Sequence, residues 1–330
     1  MPLDHEPEQQ GKPTPDQSNE KLLPQERLPL APINLFRGQS TARSLVRLLI
    51  FLALVFVFCP ALVNEAARDV FGSLRSMDST TILLFFEAGN FALLLGVTAG
   101  MAVLERRRIG DYGLPVNEIF GKNFWLGALL GLAEVSVLVG LITVFGGYSF
   151  GAFALHGAEV VRWGLVHLLL FLFVGLYEEY LFRGYAQFTL GKGIGFWPAA
   201  IALSLGFGYV HLHNGGENWI GAASVAVVGL LFAFTLKRTG SLWYAVGLHM
   251  AFDWGESFLY SVPNSGEVLR GHLSNAVLRG PTWLSGGTVG PEGSVFCFLT
   301  IGMQFLVVMW LFPAKKGEPV GEGKIPAQSA

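Results

Sequence analysis

Residues 161–190 read VRWGLVHLLLFLFVGLYEEYLFRGYAQFTL, and this stretch decides the fold. About 20 mostly apolar residues in a helix, rising 1.5 Å each, cross a hydrocarbon core of roughly 30 Å. The run from Val161 to Tyr177 meets that requirement almost unbroken and then passes straight into Glu178-Glu179-Tyr180-Leu181-Phe182-Arg183. A charged side chain near the middle of a bilayer costs about 2.5–3.5 kcal/mol on insertion scales. Three in one turn and a half therefore require partners, a water-filled cavity or a chemical task.

The rest of the chain repeats the apolar theme. Hydrophobic residues make up 52% of 330 and charged residues 14%, well below the roughly 25% charged of soluble domains. The mean hydropathy is +0.49. Apolar spans are predicted at 45–63, 81–104, 124–146, 161–190, 195–212, 219–236, 241–260 and 293–312. The expected fold is thus all-α, a polytopic membrane bundle of about eight transmembrane helices over residues 40–313. It is flanked by a polar, proline-rich tail (1–39), expected to be disordered, and a short tail (314–330). The stretch 261–292, rich in Gly, Ser and Pro, reads as one long external loop. No short apolar core follows Met1, so no cleavable signal peptide is expected.

Eight spans put both termini on one side. Twelve Lys and Arg near span ends, from Arg37 to Lys324, fall on that side, against Arg68, Arg75, Arg162, Arg270 and Arg279 on the other. The positive-inside rule then makes the termini and the 105–123 loop cytoplasmic, with the plasma membrane as the expected location. A net charge of −2 gives no sign of nucleic-acid binding. Cys59 and Cys297 lie in apolar runs and read as core residues rather than a disulfide. Trp125, Trp163, Trp219, Trp243 and Trp310 near span ends read as interfacial anchors.

Ionisable residues concentrate late in the chain. Glu179 and Arg183, four apart, share one helical face and suit an ion pair, whereas Glu178 points about 140° away from Arg183 and must serve something else. A carboxylate without a cation in a low-dielectric site suits a general base near neutral pH. Phe207 and His211 repeat the four-residue spacing on the fifth span, and His249 and Asp253 on the seventh, which also carries Glu256. Counted from the turns near Lys192 and Gly240, these groups lie roughly 14–28 Å deep and can meet inside the membrane. His213, just past His211, falls where Asn214-Gly215-Gly216 ends the helix. His167 reads as a packing residue, and Glu87, Asn90 and Glu134 as groups that pair between helices or line a cavity.

The ordered set Glu178-Glu179-x-x-x-Arg183, Phe207-x-x-x-His211 and His249-x-x-x-Asp253 resembles the CAAX-protease and bacteriocin-processing family of intramembrane peptidases, which includes the type II CAAX prenyl endopeptidases. The resemblance covers about 161–260. The last position is Asn in the prenyl endopeptidases and Asp253 here. It implies an endopeptidase acting on a membrane-associated protein or peptide, with Glu178 and His211 activating water, His249 and Asp253 holding the oxyanion or orienting the site, and Arg183 holding Glu179. Glu178, His211 and His249 are also a plausible zinc set, but no His-Glu-x-x-His helix occurs, so metal-independent glutamate catalysis is expected. Two readings from other classes share these residues: a proton-coupled transporter, against which the lack of an evident internal repeat counts, and a non-catalytic immunity or scaffold protein of the same fold.

Overall fold

The computed structural model describes residues 40–59 and 77–314. The tail expectations for 1–39 and 315–330 lie outside them, as do Arg37, Arg68, Arg75 and Lys324. A helix forms in every predicted span. In chain order these are α1 (Thr41–Ala53, continued by a π turn, Leu54–Phe58), α2 (Ser79–Glu105), α3 (Lys122–Val144), α4 (Ala158–Glu179, continued by a π segment, Tyr180–Ala186), α5 (Gln187–Ile194), α6 (Phe196–His211), α7 (Trp219–Thr239), α8 (Trp243–Trp254, continued by a π turn, Gly255–Leu259), the short α9 (Thr282–Ser285) and α10 (Val295–Leu311). Four runs, Ser79–Glu105, Lys122–Val144, Ala158–Ile194 and Trp219–Thr239, are long and apolar enough to cross a membrane alone.

The ends follow from local chemistry. Ser40, Asp78 and Asn218 cap α1, α2 and α7 by accepting backbone N–H groups that the first turn leaves free, and Gly240 closes α7 in the left-handed region. Outward faces carry large apolar side chains, among them Phe85, Leu129, Leu165, Leu205, Leu306 and Trp310. Such a belt is unfavourable in water and is what lipid tails cover.

Hydrocarbon gives helices little hydrophobic reason to associate, so packing rests on small residues and polar contacts. Gly127 and Gly131 of α3 face Gly247 of α8. A Cβ added at any of the three would collide with backbone of the opposite helix: Tyr244 O, Leu248 O and Phe124 O respectively. The two backbones touch, and this contact fixes α8 and its polar residues at the centre of the bundle. At the base of α2, Glu105 accepts from Tyr185 Oη at 2.6 Å and Tyr112 Oη at 3.4 Å, with Arg47 at 3.6 Å and Lys192 at 3.8 Å. Arg47, near the N-terminal end of the first predicted span, is thereby paired and buried.

Three expectations are corrected. The 161–190 span is not one straight helix: it widens into a π segment after Glu179 and bends at Gly184, whose ψ of −120° is non-helical. The 261–292 stretch is not a plain external loop. Val277–Leu278 pairs antiparallel with Tyr148–Ser149, and its flanks turn inward. Finally, Trp243 is no lipid anchor. It is buried at 5% exposure against Phe124 and Phe120 and donates its ring N–H to Pro115 O at 3.1 Å. Trp125, Trp219 and Trp310 are exposed as anchors require. Cys59 and Cys297 are free and buried.

Candidate active site

The last turn of α4 presents Glu178 and Glu179 in different directions, as helical geometry demands. Glu179 is fully buried, and its Oε1 lies 3.3 Å from Arg183 Nη1. The guanidinium, 1% exposed, also lies over the rings of Phe207 and Phe232, with its carbon 4.3 and 5.5 Å from their centroids. With the Phe182 ring also 5.7 Å away, Arg183 is held by one carboxylate and three aromatic rings, an arrangement its planar cation suits better than an ammonium would.

Glu179 has a second partner that helical spacing alone does not reveal. The same Oε1 lies 3.1 Å from His249 Nδ1, so one carboxylate ties α4 to α8. The other ring nitrogen, Nε2, faces Asp253 Oδ2 at 3.4 Å and Glu178 Oε2 at 3.6 Å. The imidazole stacks on Phe232, with centroids 5.3 Å apart and a 19° interplanar angle. Asp253 therefore meets Nε2, while Glu179 fixes Nδ1.

On α6, His211 Nδ1 lies 2.8 Å from Phe207 O, and the Phe207 ring stands edge-on to the imidazole at 4.6 Å. An Nδ1–H bonded to a carbonyl leaves the Nε2 lone pair unprotonated and available. Glu178, Phe207, His211, His249 and Asp253 line one cavity of about 180 Å³, with Phe171 and Phe252 among its apolar walls. Among the described residues Glu178 Oε2 has no hydrogen-bond partner. His213 is exposed beyond the end of α6 and takes no part. His167 is buried, with Nδ1 on Trp163 O at 3.0 Å and its ring against Phe171 and Phe258, a packing role. Glu87, beside Asn90, lies within electrostatic reach of Glu178 from α2.

Several lining residues were not placed in the site from the sequence. Asn214, Asn264, Ser265, Glu267 and Glu292 reach the cavity from loops, and Glu134 from α3. Glu292 accepts from the Ser265 backbone N–H and from its hydroxyl at 2.9 Å. Burial, reinforced by the charge of Asp253, pushes its carboxyl up to about 8. Glu134 and Glu256 were legible as carboxylates inside apolar spans, Glu134 as one that pairs between helices or lines a cavity; the loop residues carry no periodic signal.

Among the described residues no group of three or more His, Cys, Asp or Glu is placed to hold a metal ion.

Residues 160–255 match the family model described as type II CAAX prenyl endopeptidase Rce1-like. No curated protein and no solved structure matches the chain.

Proposed function

With residues 160–255 assigned to the CAAX-protease and bacteriocin-processing family, we propose that this membrane protein is an intramembrane endopeptidase that hydrolyses a peptide bond with a water activated by Glu178 and His211. The observation that carries the reading is the convergence of three separate helices on one cavity. Glu178 from α4, His211 from α6 and His249 from α8 face it together, with His249 locked at Nδ1 by Glu179.

The chemistry needs a base, a donor for the oxyanion and a proton for the leaving group. Glu178 takes a proton from water as the oxygen attacks the substrate carbonyl carbon, and His211 Nε2 accepts the water's second hydrogen bond and so aims it. The carbonyl oxygen gains negative charge. His249, with Glu179 at Nδ1, donates its Nε2–H to that oxygen. The Glu178 and Asp253 oxygens approach Nε2 at 3.6 and 3.4 Å, too far to hold its proton tightly. Collapse of the tetrahedral intermediate breaks the C–N bond, and the proton on Glu178 passes to the departing amine. Apolar walls keep bulk water out, which strengthens each of these interactions. The test is a comparison of membrane peptidomes from cells expressing the protein and its Glu178→Gln variant. Fragments present only with the unaltered protein support hydrolysis, and identical peptidomes overturn it.

The positive-inside rule leads us to put the termini and the 105–123 loop in the cytoplasm. Ser274, in the external loop, is fully buried, so exposed positions serve better for labelling. In a protein lacking Cys59 and Cys297, Asn117→Cys is expected to be protected from an impermeant thiol reagent in intact cells and Arg279→Cys to react. The opposite pattern reverses the topology.

We also read the hydrolysis as metal-independent, because no His-Glu-x-x-His helix occurs in the sequence. Active purified protein is expected to contain no stoichiometric zinc by elemental analysis. Near-stoichiometric zinc that disappears with activity in His211→Ala would overturn this mechanism.

A further inference from the structure

The Arg183 guanidinium is bonded at one nitrogen and only fitted at another. Nη1 meets Glu179 Oε1 at 3.3 Å, whereas Nη2 is buried with no hydrogen-bond partner among the described residues. What Nη2 faces is α7. A Cβ added at Gly229 would overlap it, so the space this nitrogen occupies exists because residue 229 has no side chain. Phe232, three residues on and on the same face of α7, has the guanidinium carbon 5.5 Å from its centroid and stacks on His249 at 5.3 Å. One face of α7 therefore seats both the cation and the imidazole.

Close approach of α6 does not by itself account for this glycine. The two helices touch at Gly208 of α6, where a Cβ would overlap Ala222 O of α7. Opposite Gly229 stands Ser204 of α6, and its Cβ and Oγ would lie 3.1 Å from an added Cβ, a crowded contact but not an overlap. Ser204 Oγ is buried and has no hydrogen-bond partner among the described residues, so it is no polar anchor for Arg183. The guanidinium in turn has little freedom to yield, being 1% exposed with the Phe182, Phe207 and Phe232 rings around it. Because the group is planar and rigid, moving Nη2 out to an ordinary contact of about 3.5 Å turns Nη1 with it, away from Glu179. Glu179 Oε1 is shared with His249 Nδ1 at 3.1 Å, and the displacement passes on to the imidazole.

We propose that Gly229 is a positioning residue of the active site: its missing side chain is the socket for Arg183 Nη2, and through Arg183 and Glu179 it sets the orientation of His249. The consequence for cleavage rests on the peptidase reading, and the consequence for His249 does not.

The test is ring-nitrogen NMR of isotope-labelled histidine in the full-length protein in detergent, alongside peptide cleavage, with the His249 resonances assigned by their loss in His249→Gln. Gly229→Ala is expected to shift the His249 Nδ1 resonance and to lower kcat by roughly tenfold to a hundredfold, the scale of a misplacement of about 1 Å, with KM little changed. Ser204→Ala is expected to leave both unchanged. Arg183→Lys, whose ammonium has no second branch to seat, should cost activity alone but make Gly229→Ala nearly silent when the two are combined. A folded Gly229→Ala protein with an unshifted His249 resonance overturns the proposal. So does an equal loss from Gly229→Ala with and without Arg183→Lys, or restoration by Ser204→Gly instead, which would make the glycine a packing residue between α6 and α7. Should Gly229→Ala fail to fold, folding of the Gly229→Ala, Arg183→Lys double variant supports the socket, and failure of both overturns it. A shifted His249 resonance in Gly229→Ala, with no cleavage by the unaltered protein, supports the socket and overturns the peptidase reading alone.

Discussion

Glu178→Gln is expected to give a folded, membrane-inserted protein whose kcat/KM for a membrane peptide falls by about 10²–10⁴, the contribution of a positioned general base. The substitution keeps the size of the side chain and removes only its capacity to take a proton. Little structural cost is expected because Glu178 has its side chain 23% exposed, with Oε2 making no hydrogen bond in the described structure. Among the described residues its ion-pair contact is with His249 Nε2 at 3.6 Å, while His249 keeps Glu179 at Nδ1. The measurements are detergent-phase melting and peptide cleavage by the same preparation. Near-normal cleavage by Glu178→Gln would remove Glu178 from the mechanism, and a melting temperature that collapses along with activity would make it a structural residue instead.

Glu179→Gln is expected to fail differently. Glu179 and Arg183 are an ion pair at 0% and 1% side-chain exposure, and removing one partner of such a pair can cost about 3–5 kcal/mol because the other charge stays buried. Melting should fall sharply in Glu179→Gln and in Arg183→Gln. The double variant should lose less than the sum of the singles, with a coupling of about 0.5–3 kcal/mol. Glu179 also holds His249 Nδ1, so Glu179→Gln should lower cleavage further than Arg183→Gln at temperatures where both remain folded. Additive stability losses would contradict the ion pair, and equal cleavage by the two single variants would contradict the role assigned to the His249 contact.

The sequence by itself determined the solvent and the elements. Apolar runs near 20 residues long have one low-energy solution in lipid, a helix that bonds its own backbone, so each of the eight spans could be read before any packing was known. Helical periodicity also separated Glu178 from Glu179 and paired Glu179 with Arg183, because residues four apart share a face whatever surrounds them. The family pattern added His211, His249 and Asp253 in order. Contacts between helices were a different matter. That Glu179 reaches His249, 70 residues away, depends on how deeply α8 docks, and this is set where Gly127 and Gly131 let its backbone touch α3. The bend at Gly184 and the burial of Trp243 likewise come from neighbours rather than from local preference. Most of all, the loop side of the cavity was hidden. Glu292 and Asn264 lie in a loop with no periodicity to betray a direction, and only the turning of that loop into the bundle brings them to the cavity that Glu134 also lines. A loop's path is fixed by the hydrogen bonds its backbone and polar side chains find elsewhere in the fold, here Asn214 Nδ2 donating to Ser265 O and Gly215 N–H to Glu267, and those partners are in place only once the helices have assembled.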